Sequence, residues 1–459
     1  MFDAIHKKVN SYDHDTLSTL TLSGVASYQW AFIQYLKEKK ENERNQIYLF
    51  PTDDAADNFY HNNKKYLKEK YLFLHLPGLE SSPYSGIISS ERNLSFRFRV
   101  LDSIRSSSKP VILCTSIESF MMKQPPVSFF EEYSFNLSES DIISPDELAG
   151  KLVQAGYTSS HTVEEPGTFC KKGEIFDIYP ISNPPIRIHY FDEMIEEIFE
   201  IDKSTHKTIK THKYETVSIG PAPLIFTQSK FVNNLRDNCY RPTPGEKEKF
   251  NLRKEIFSSL SNNQLFENYP VYTPLFFKDT STILDYFEKN NTISVMFDEA
   301  QTIEHINTHL ELLEEDFKES REESSLTLLP HYEELYVTSP LKELNDIKKI
   351  IVNHVTIHQN LSDDNNTIDL HFESTRGYLS NHLNTTKPKK ELLKDIFEFL
   401  KKTFQYSGNI VFTFQNENSK KEILSPEYKK TVSNERDVEV PYNISLYEKL
   451  SENLKKAHI

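Results

Sequence analysis

Residues 167–201 read GTFCKKGEIFDIYPISNPPIRIHYFDEMIEEIFEI, and this stretch restricts the fold more tightly than any other. It holds three short alternating runs separated by turn residues. Successive side chains of an extended strand point to opposite faces. Residues 174–179 therefore set Ile175, Asp177 and Tyr179 on one face and Phe176 and Ile178 on the other. Pro180 ends that run, and Ser182-Asn183-Pro184-Pro185 is turn chemistry. Residues 186–191 alternate again, with Ile186, Ile188 and Tyr190 opposite Arg187, His189 and Phe191. Asp192-Glu193 turns the chain into a third run, 195–201. The pattern predicts a β-meander with one core-facing surface and one surface that mixes cations with an aromatic ring.

The rest of the composition narrows what such a ribbon could serve. A chain of 459 residues has room for two to four domains, and 26% charged residues with only 11 glycines describe a globular protein. A formal charge of −15 opposes a broad grip on phosphates, which needs a cationic surface. Cys114, Cys170 and Cys239 are far apart and form no metal-ligand spacing, so neither a disulfide framework nor a zinc site is expected. There is no apolar run of signal-peptide or membrane-spanning length, which predicts a cytoplasmic protein.

Before the meander, helical patterns at 25–39 and 55–69 alternate with strand patterns at 46–50, 71–76 and 111–114, as in a parallel α/β sheet. Ser144-Pro145-Asp146-Glu147 starts a helix whose buried stripe is Leu148, Leu152 and Val153. After the meander, 292–297 reads as a buried strand and 302–323 as a charged helix turning Ile303, Ile306, Leu310 and Leu313 inwards. Towards the end, strands are expected at 348–356, 367–372 and 410–414, and helices at 391–404 and 445–457.

Three stretches carry residue types that suggest chemistry. A phosphate cradle needs G-x-x-x-x-G-K-[ST], whereas residues 22–29 offer Gly24 alone and Gly150-Lys151 sits in a helical pattern. Asp298-Glu299 after a strand suggests a Mg²⁺-holding acid pair, but acids complementing a helix N-terminus explain it more simply. Cys170 and His189 lack an orienting third group, so they read as plain strand residues. Arg97 reads as a helix-surface charge or a local ion pair.

The motif G-x-[FY]-x-x-[RK]-G-x-[IL]-x-D-[IL]-[FY]-P followed by P-x-R-[IL]-x-[FY]-F is carried by Gly167, Phe169, Lys172, Gly173, Ile175, Asp177, Ile178, Tyr179 and Pro180, then Pro185, Arg187, Ile188, Tyr190 and Phe191. It resembles domain 2 shared by two bacterial repair families, the excision-repair helicase UvrB and the transcription-repair coupling factor, Mfd. Leu76, Pro77, Leu79, Glu80, Pro83, Tyr84, Arg97 and Leu101 resemble a second coupling-factor motif, without the aromatic hairpin that UvrB inserts there. Ile219-Gly220-Pro221-Ala222 and Pro274-Leu275-Phe276-Phe277 resemble further family segments.

The resemblance implies an α/β multidomain fold. Its parts would be a degenerate P-loop, RecA-like UvrB-type domain, an inserted α+β β-meander domain 2 and a small C-terminal α/β domain. The implied boundaries are 1–129 for domain 1a, 130–216 for domain 2, 217–340 for domain 1b and 341–459 for domain 3. It further implies a module that recruits UvrA in transcription-coupled nucleotide excision repair, with UvrA-binding positions at Lys172, Arg187 and Phe191. No catalytic residue, cofactor or metal is implied for this chain, and it is not expected to be an enzyme. ATP turnover and contacts with RNA polymerase and double-stranded DNA belong to motor and polymerase-binding domains of the family that these residues lack. The expectation is an excised fragment or a short relative.

Two departures matter. Lys172 stands where much of the family has Arg, which keeps the charge but loses the bidentate fork. His206-Lys207 replaces Gln-Arg in a turn where Asp202 and Thr208 agree. The competing functions are a degenerate UvrB-type helicase that binds DNA directly and a free-standing competitor of UvrB for UvrA. On residue chemistry alone, Arg187 could pair with Glu196 or Glu200 across strands, and Phe191 could belong to a satellite core.

Overall fold

The computed structural model describes residues 19–25, 27, 30–31 and 44–354, with breaks at 69, 80, 86, 88–89 and 322–326. It also describes residue 395 and the strands Thr367–Asp369, Ile410–Phe414 and Tyr442–Leu446. The chain forms two units. One comprises Met1–Thr16, Leu20–Lys39 and Asn353–Ile459, the other Leu17–Thr19 and Lys40–Val352.

In the first unit, Thr21, Leu22 and Ser23 pair in parallel with Thr367, Ile368 and Asp369. Separately, Ile410–Phe414 pairs in parallel with Tyr442–Leu446. That second ladder corrects the start of the helix expected at 445–457, because Ser445 and Leu446 are strand residues; 447–457 lie outside the described residues. Tyr442, Ile444 and Leu446 alternate at period two, the spacing of a strand face. The helix expected at 391–404 lies outside the described residues except for the helical Asp395, and Glu80 of the second motif lies outside them too.

The second unit contains parallel strands in the order Leu72–Leu76, Val111–Ser116, Asn45–Phe50, Thr292–Phe297, Lys348–Asn353. Ile47, Tyr48 and Leu49 are fully buried in succession, as in a sheet covered on both faces. The helix Asp53–Leu67 begins with the Thr52 hydroxyl accepting from the Ala55 N–H at 3.2 Å, and Asp53 and Asp54 complement its dipole. The chain leaves this sheet after Ser116 and returns at Thr292 on the other side of Asn45–Phe50, so everything between is an insertion. Lys348–Asn353, past the implied boundary at 341, continues the same ladder beside Thr292–Phe297.

Arg97 is not a surface charge. It is 4% exposed within the helix Glu91–Ser106. Its guanidinium donates to the Pro77 carbonyl, to Ser119 Oγ at 2.9 Å and to Gln124 Oε1 at 3.2 Å. Burial pulls its pKa down to about 10. The Tyr84 hydroxyl likewise reaches the Pro330 carbonyl at 2.7 Å. Pro77, Tyr84 and Arg97 of the second motif thus hold loops together from inside.

The insertion carries a sheet of six strands in sequence order, twice the number expected. They are β1 (Thr158–Ser159), β2 (Thr168–Lys172), β3 (Ile175–Tyr179), β4 (Ile186–Phe191), β5 (Met194–Ile201) and β6 (Thr208–Tyr214). The pair β1–β2 is parallel and the rest are antiparallel. Strand β6 carries Lys210 and Lys213 on an open edge, which suits a solvated edge but hides the strand from hydrophobic patterning. The helix Pro145–Gln154 starts as expected, with Ser144 Oγ accepting from Glu147 N–H at 3.2 Å and Leu148 and Leu152 buried. Val153 of the expected stripe is instead exposed. Phe135–Ser138 pairs antiparallel with Thr216–Ile219 and so closes off the segment that carries the six strands.

Phe169, Phe176, Ile178, Ile186, Ile188, Tyr190, Ile195 and Ile198 face the core. Phe169 and Phe176 stack with centroids 5.6 Å apart. Each such fully buried side chain contributes about 2 kcal/mol, so this face sets the register of the sheet.

Candidate protein-docking face

The other face of the sheet displays the candidate residues. Directly paired residues in a ladder project from one side. Three rows cross the strands there: Cys170, Asp177, Arg187 and Phe199; then Lys172, Ile175, His189 and Glu197; then Phe191 and Met194. Lys172, Arg187 and Phe191 therefore share the side opposite the core face. Gly173, at φ 62°, closes the tight turn between β2 and β3 that presents Lys172.

Their environments differ sharply. Phe191 is 69% exposed at the end of β4, so it is no satellite core residue. Lys172 is exposed and makes no ion pair among the described residues, whereas its neighbour Lys171 holds Asp146 at 2.6 Å. Arg187 is a structural clamp. Its Nε and Nη2 donate to the two carboxylate oxygens of Asp177 at 2.7 and 2.8 Å, and its Nη1 reaches Thr208 Oγ1 at 3.4 Å. The side chains of Arg187 and Asp177 are 20% and 10% exposed. The Asp177 hydrogen bonds raise the Arg187 pKa against the opposing effect of burial.

The acid that pairs with Arg187 is thus neither Glu196 nor Glu200. Glu200 lies opposite Ile186 and so projects from the other side, where it meets His212 at 2.9 Å and Tyr214 at 3.0 Å. Glu196 sits at the register shift between Ile195 and Glu197 and is exposed.

The turn after β5, which carries His206-Lys207, is held by Asp202. Asp202 Oδ1 accepts from the Ser204 hydroxyl at 2.6 Å and N–H at 2.9 Å, and from the Thr205 N–H at 2.8 Å and hydroxyl at 3.0 Å. These bonds, the Ser204 hydroxyl foremost, hold its pKa down to about 2. His206 adopts φ 53° and donates its N–H to the Asp202 carbonyl at 2.8 Å.

No nucleophilic pair forms on this face. The Cys170 thiol donates to the His161 carbonyl at 3.1 Å, and the His189 ring packs edge-on to Phe199 at 5.7 Å. Among the described residues no group of three or more His, Cys, Asp or Glu could hold a metal, and no helix is long and apolar enough to cross a membrane. At Asp298-Glu299, Glu299 opens the helix Glu299–Glu319; burial raises its pKa, and Lys349 acts in the opposite direction.

Sequence reasoning missed two exposed apolar side chains beside Phe191. Met194 is its ladder partner and Ile142 in turn bridges Met194. Met194 was legible from strand parity, but Ile142 comes from a connecting segment without alternation.

Residues 135–224 match the UvrB interaction domain family. The chain is 27% identical over 252 residues to the transcription-repair-coupling factor of Bacillus subtilis, covering 51% of this chain and 21% of that protein. It is 27% identical over 224 residues to the one from Rickettsia prowazekii, covering 48% and 19%. With the Haemophilus influenzae protein the identity is 25% over 230 residues, covering 49% and 19%. The match spans about a fifth of the length of these relatives. The resemblance read from the motif residues thus rests on two separate comparisons: the chain is similar, over about half its length and with a UvrB interaction domain at 135–224, to the UvrB-like N-terminal region of the transcription-repair-coupling factors.

Proposed function

We propose that this chain is a docking module that recruits UvrA in transcription-coupled nucleotide excision repair, through the outward face of its six-stranded sheet. Phe191 is the hydrophobic anchor and Lys172 supplies a free cation. Arg187 acts as a positioning residue: by pairing with Asp177 on β3 and reaching Thr208 at the start of β6, it fixes β4, the strand that carries Phe191. The observation that carries the reading is a phenylalanine left 69% exposed on a strand paired on both sides, inside a segment matching a UvrB interaction domain. A large exposed ring on an ordered strand is the material of a binding hot spot.

We also read the parallel sheet as a RecA-like UvrB-type domain that does not hydrolyse ATP, since the chain lacks the glycine-and-lysine phosphate cradle. Calorimetric titration of the whole chain with UvrA tests the docking reading. Phe191→Ala is expected to cost about 2 kcal/mol of affinity, and an unchanged dissociation constant would remove the anchor. Turnover of ATP stimulated by DNA would overturn the reading of the parallel sheet.

A further inference from the structure

The Phe191 ring is one end of a larger apolar feature. Residues 140–143 run antiparallel beside the start of β5. The Ser140 N–H donates to the Ile195 carbonyl at 2.8 Å, Ile195 N–H to Asp141 at 2.9 Å, and Ile143 N–H to Glu193 at 2.9 Å. This short strap aligns Ile142 with Met194, and Met194 with Phe191. The three are 80%, 37% and 69% exposed. Single exposed apolar residues need no explanation, but three in register across adjacent strands form a continuous strip. With strands spaced about 4.8 Å apart, it is about 10 Å wide. Its backbone is already hydrogen-bonded, so covering it costs little ordering.

The strip has a charged rim. Asp192, Glu193 and Glu196 are exposed beside it and make no ion pair among the described residues. Two copies of this chain brought face to face would set these carboxylates against one another, in proteins of net charge −15. The rim therefore opposes self-association and favours a cationic partner surface.

We infer that Ile142, Met194 and Phe191 together form the apolar centre of the docking site, and that the partner surface covering it carries apolar side chains flanked by lysine or arginine. This rests on the docking reading above and assigns the chemistry of the surface that it meets. The apolar strip supplies the desolvated centre, and the carboxylates supply attraction that speeds encounter.

The test uses the whole chain and UvrA. Ile142→Ala with Met194→Ala is expected to weaken binding about tenfold, the effect of losing a moderate hot spot. Both side chains lie at the surface, and an unchanged thermal midpoint would report an intact fold. Asp192→Asn, Glu193→Gln and Glu196→Gln together are expected to slow association several-fold and flatten its dependence on salt. If Phe191→Ala weakens binding while the Ile142 and Met194 variant binds as wild type, the strip is wrong and the docking reading stands. If neutralising the rim speeds association, the cationic partner surface is wrong. If the wild-type chain does not bind UvrA, the docking reading fails and takes this inference with it.

Discussion

Two arginines, both in motif positions, occupy opposite kinds of surroundings, one on a helix of the parallel α/β part and one in the six-stranded sheet. Arg97 lies within the parallel α/β part, where both faces of the sheet are covered and the guanidinium is spent on a carbonyl, a hydroxyl and an amide. Arg187 lies on the wet face of the antiparallel sheet, where it clamps a carboxylate and leaves the row beyond His189 to Phe191. A sheet buried on both sides turns its polar motif residues into internal fasteners. A sheet with one free side can divide the labour, fastening with one residue and displaying another. Matching a motif therefore does not reveal whether a residue holds the fold or meets a partner; exposure and hydrogen-bond partners do.

Four experiments bear on that contrast. The largest effect is expected at Arg97. Arg97→Ala would take a donor from the Pro77 carbonyl, from Ser119 Oγ and from Gln124 Oε1, leaving the buried Gln124 oxygen unpaired, and cost about 3 kcal/mol of stability, read from urea denaturation; a loss below about 1 kcal/mol would mean that the site rearranges freely.

A comparable effect, dependent on pH, is expected from His309 on the helix Glu299–Glu319. Burial lowers its pKa from 6.5 to about 4. The unfolded chain then binds the proton first as pH falls, so the contribution is complete above about pH 6.5 and is lost progressively towards pH 4. The swing is about 3 kcal/mol at most. His309→Phe should flatten the acid limb of the stability profile, and an unaltered limb would assign it elsewhere. Asp202 behaves differently: its lowered pKa keeps the turn after β5 intact until pH falls from 3.8 towards about 2.

Arg187→Ala comes next, at about 2 kcal/mol, since it leaves the Asp177 carboxylate partly buried and unpaired. A double-mutant cycle with Asp177→Ala should show strong coupling, whereas additive losses would deny the clamp. Smallest for the fold is Phe191→Ala, expected to change stability by no more than about 0.5 kcal/mol while removing affinity. A large loss of stability there would mean that the ring supports the sheet and is not a displayed anchor.

The central strands were legible because alternation with turn residues is a local signal. Ile186, Ile188 and Tyr190 face inwards, and Arg187, His189 and Phe191 outwards, as the pattern required. Strands β1, β2 and β6 were not legible. The first is two residues long, the second buries Phe169 and Cys170 in succession, and the third carries Lys210 and Lys213, so none shows an alternating apolar face. Thr208 was noted as a family residue, but its bond to Arg187 depends on the return of a strand that patterning did not reveal. The start expected for the helix at 445–457 was wrong because Ser445 and Leu446 belong to a ladder with Ile410–Phe414; residues 447–457 lie outside the described residues.

The sequence by itself determined the meander's central turns and the parity of its side chains, because each depends on neighbours along the chain. Tertiary structure alone decided that Asp177 takes Arg187, that Arg97 is enclosed, and that Ile142 joins Met194 and Phe191 in one row. Those outcomes follow from which distant segments hydrogen-bond side by side, and backbone pairing leaves no periodic mark on the residues it brings together.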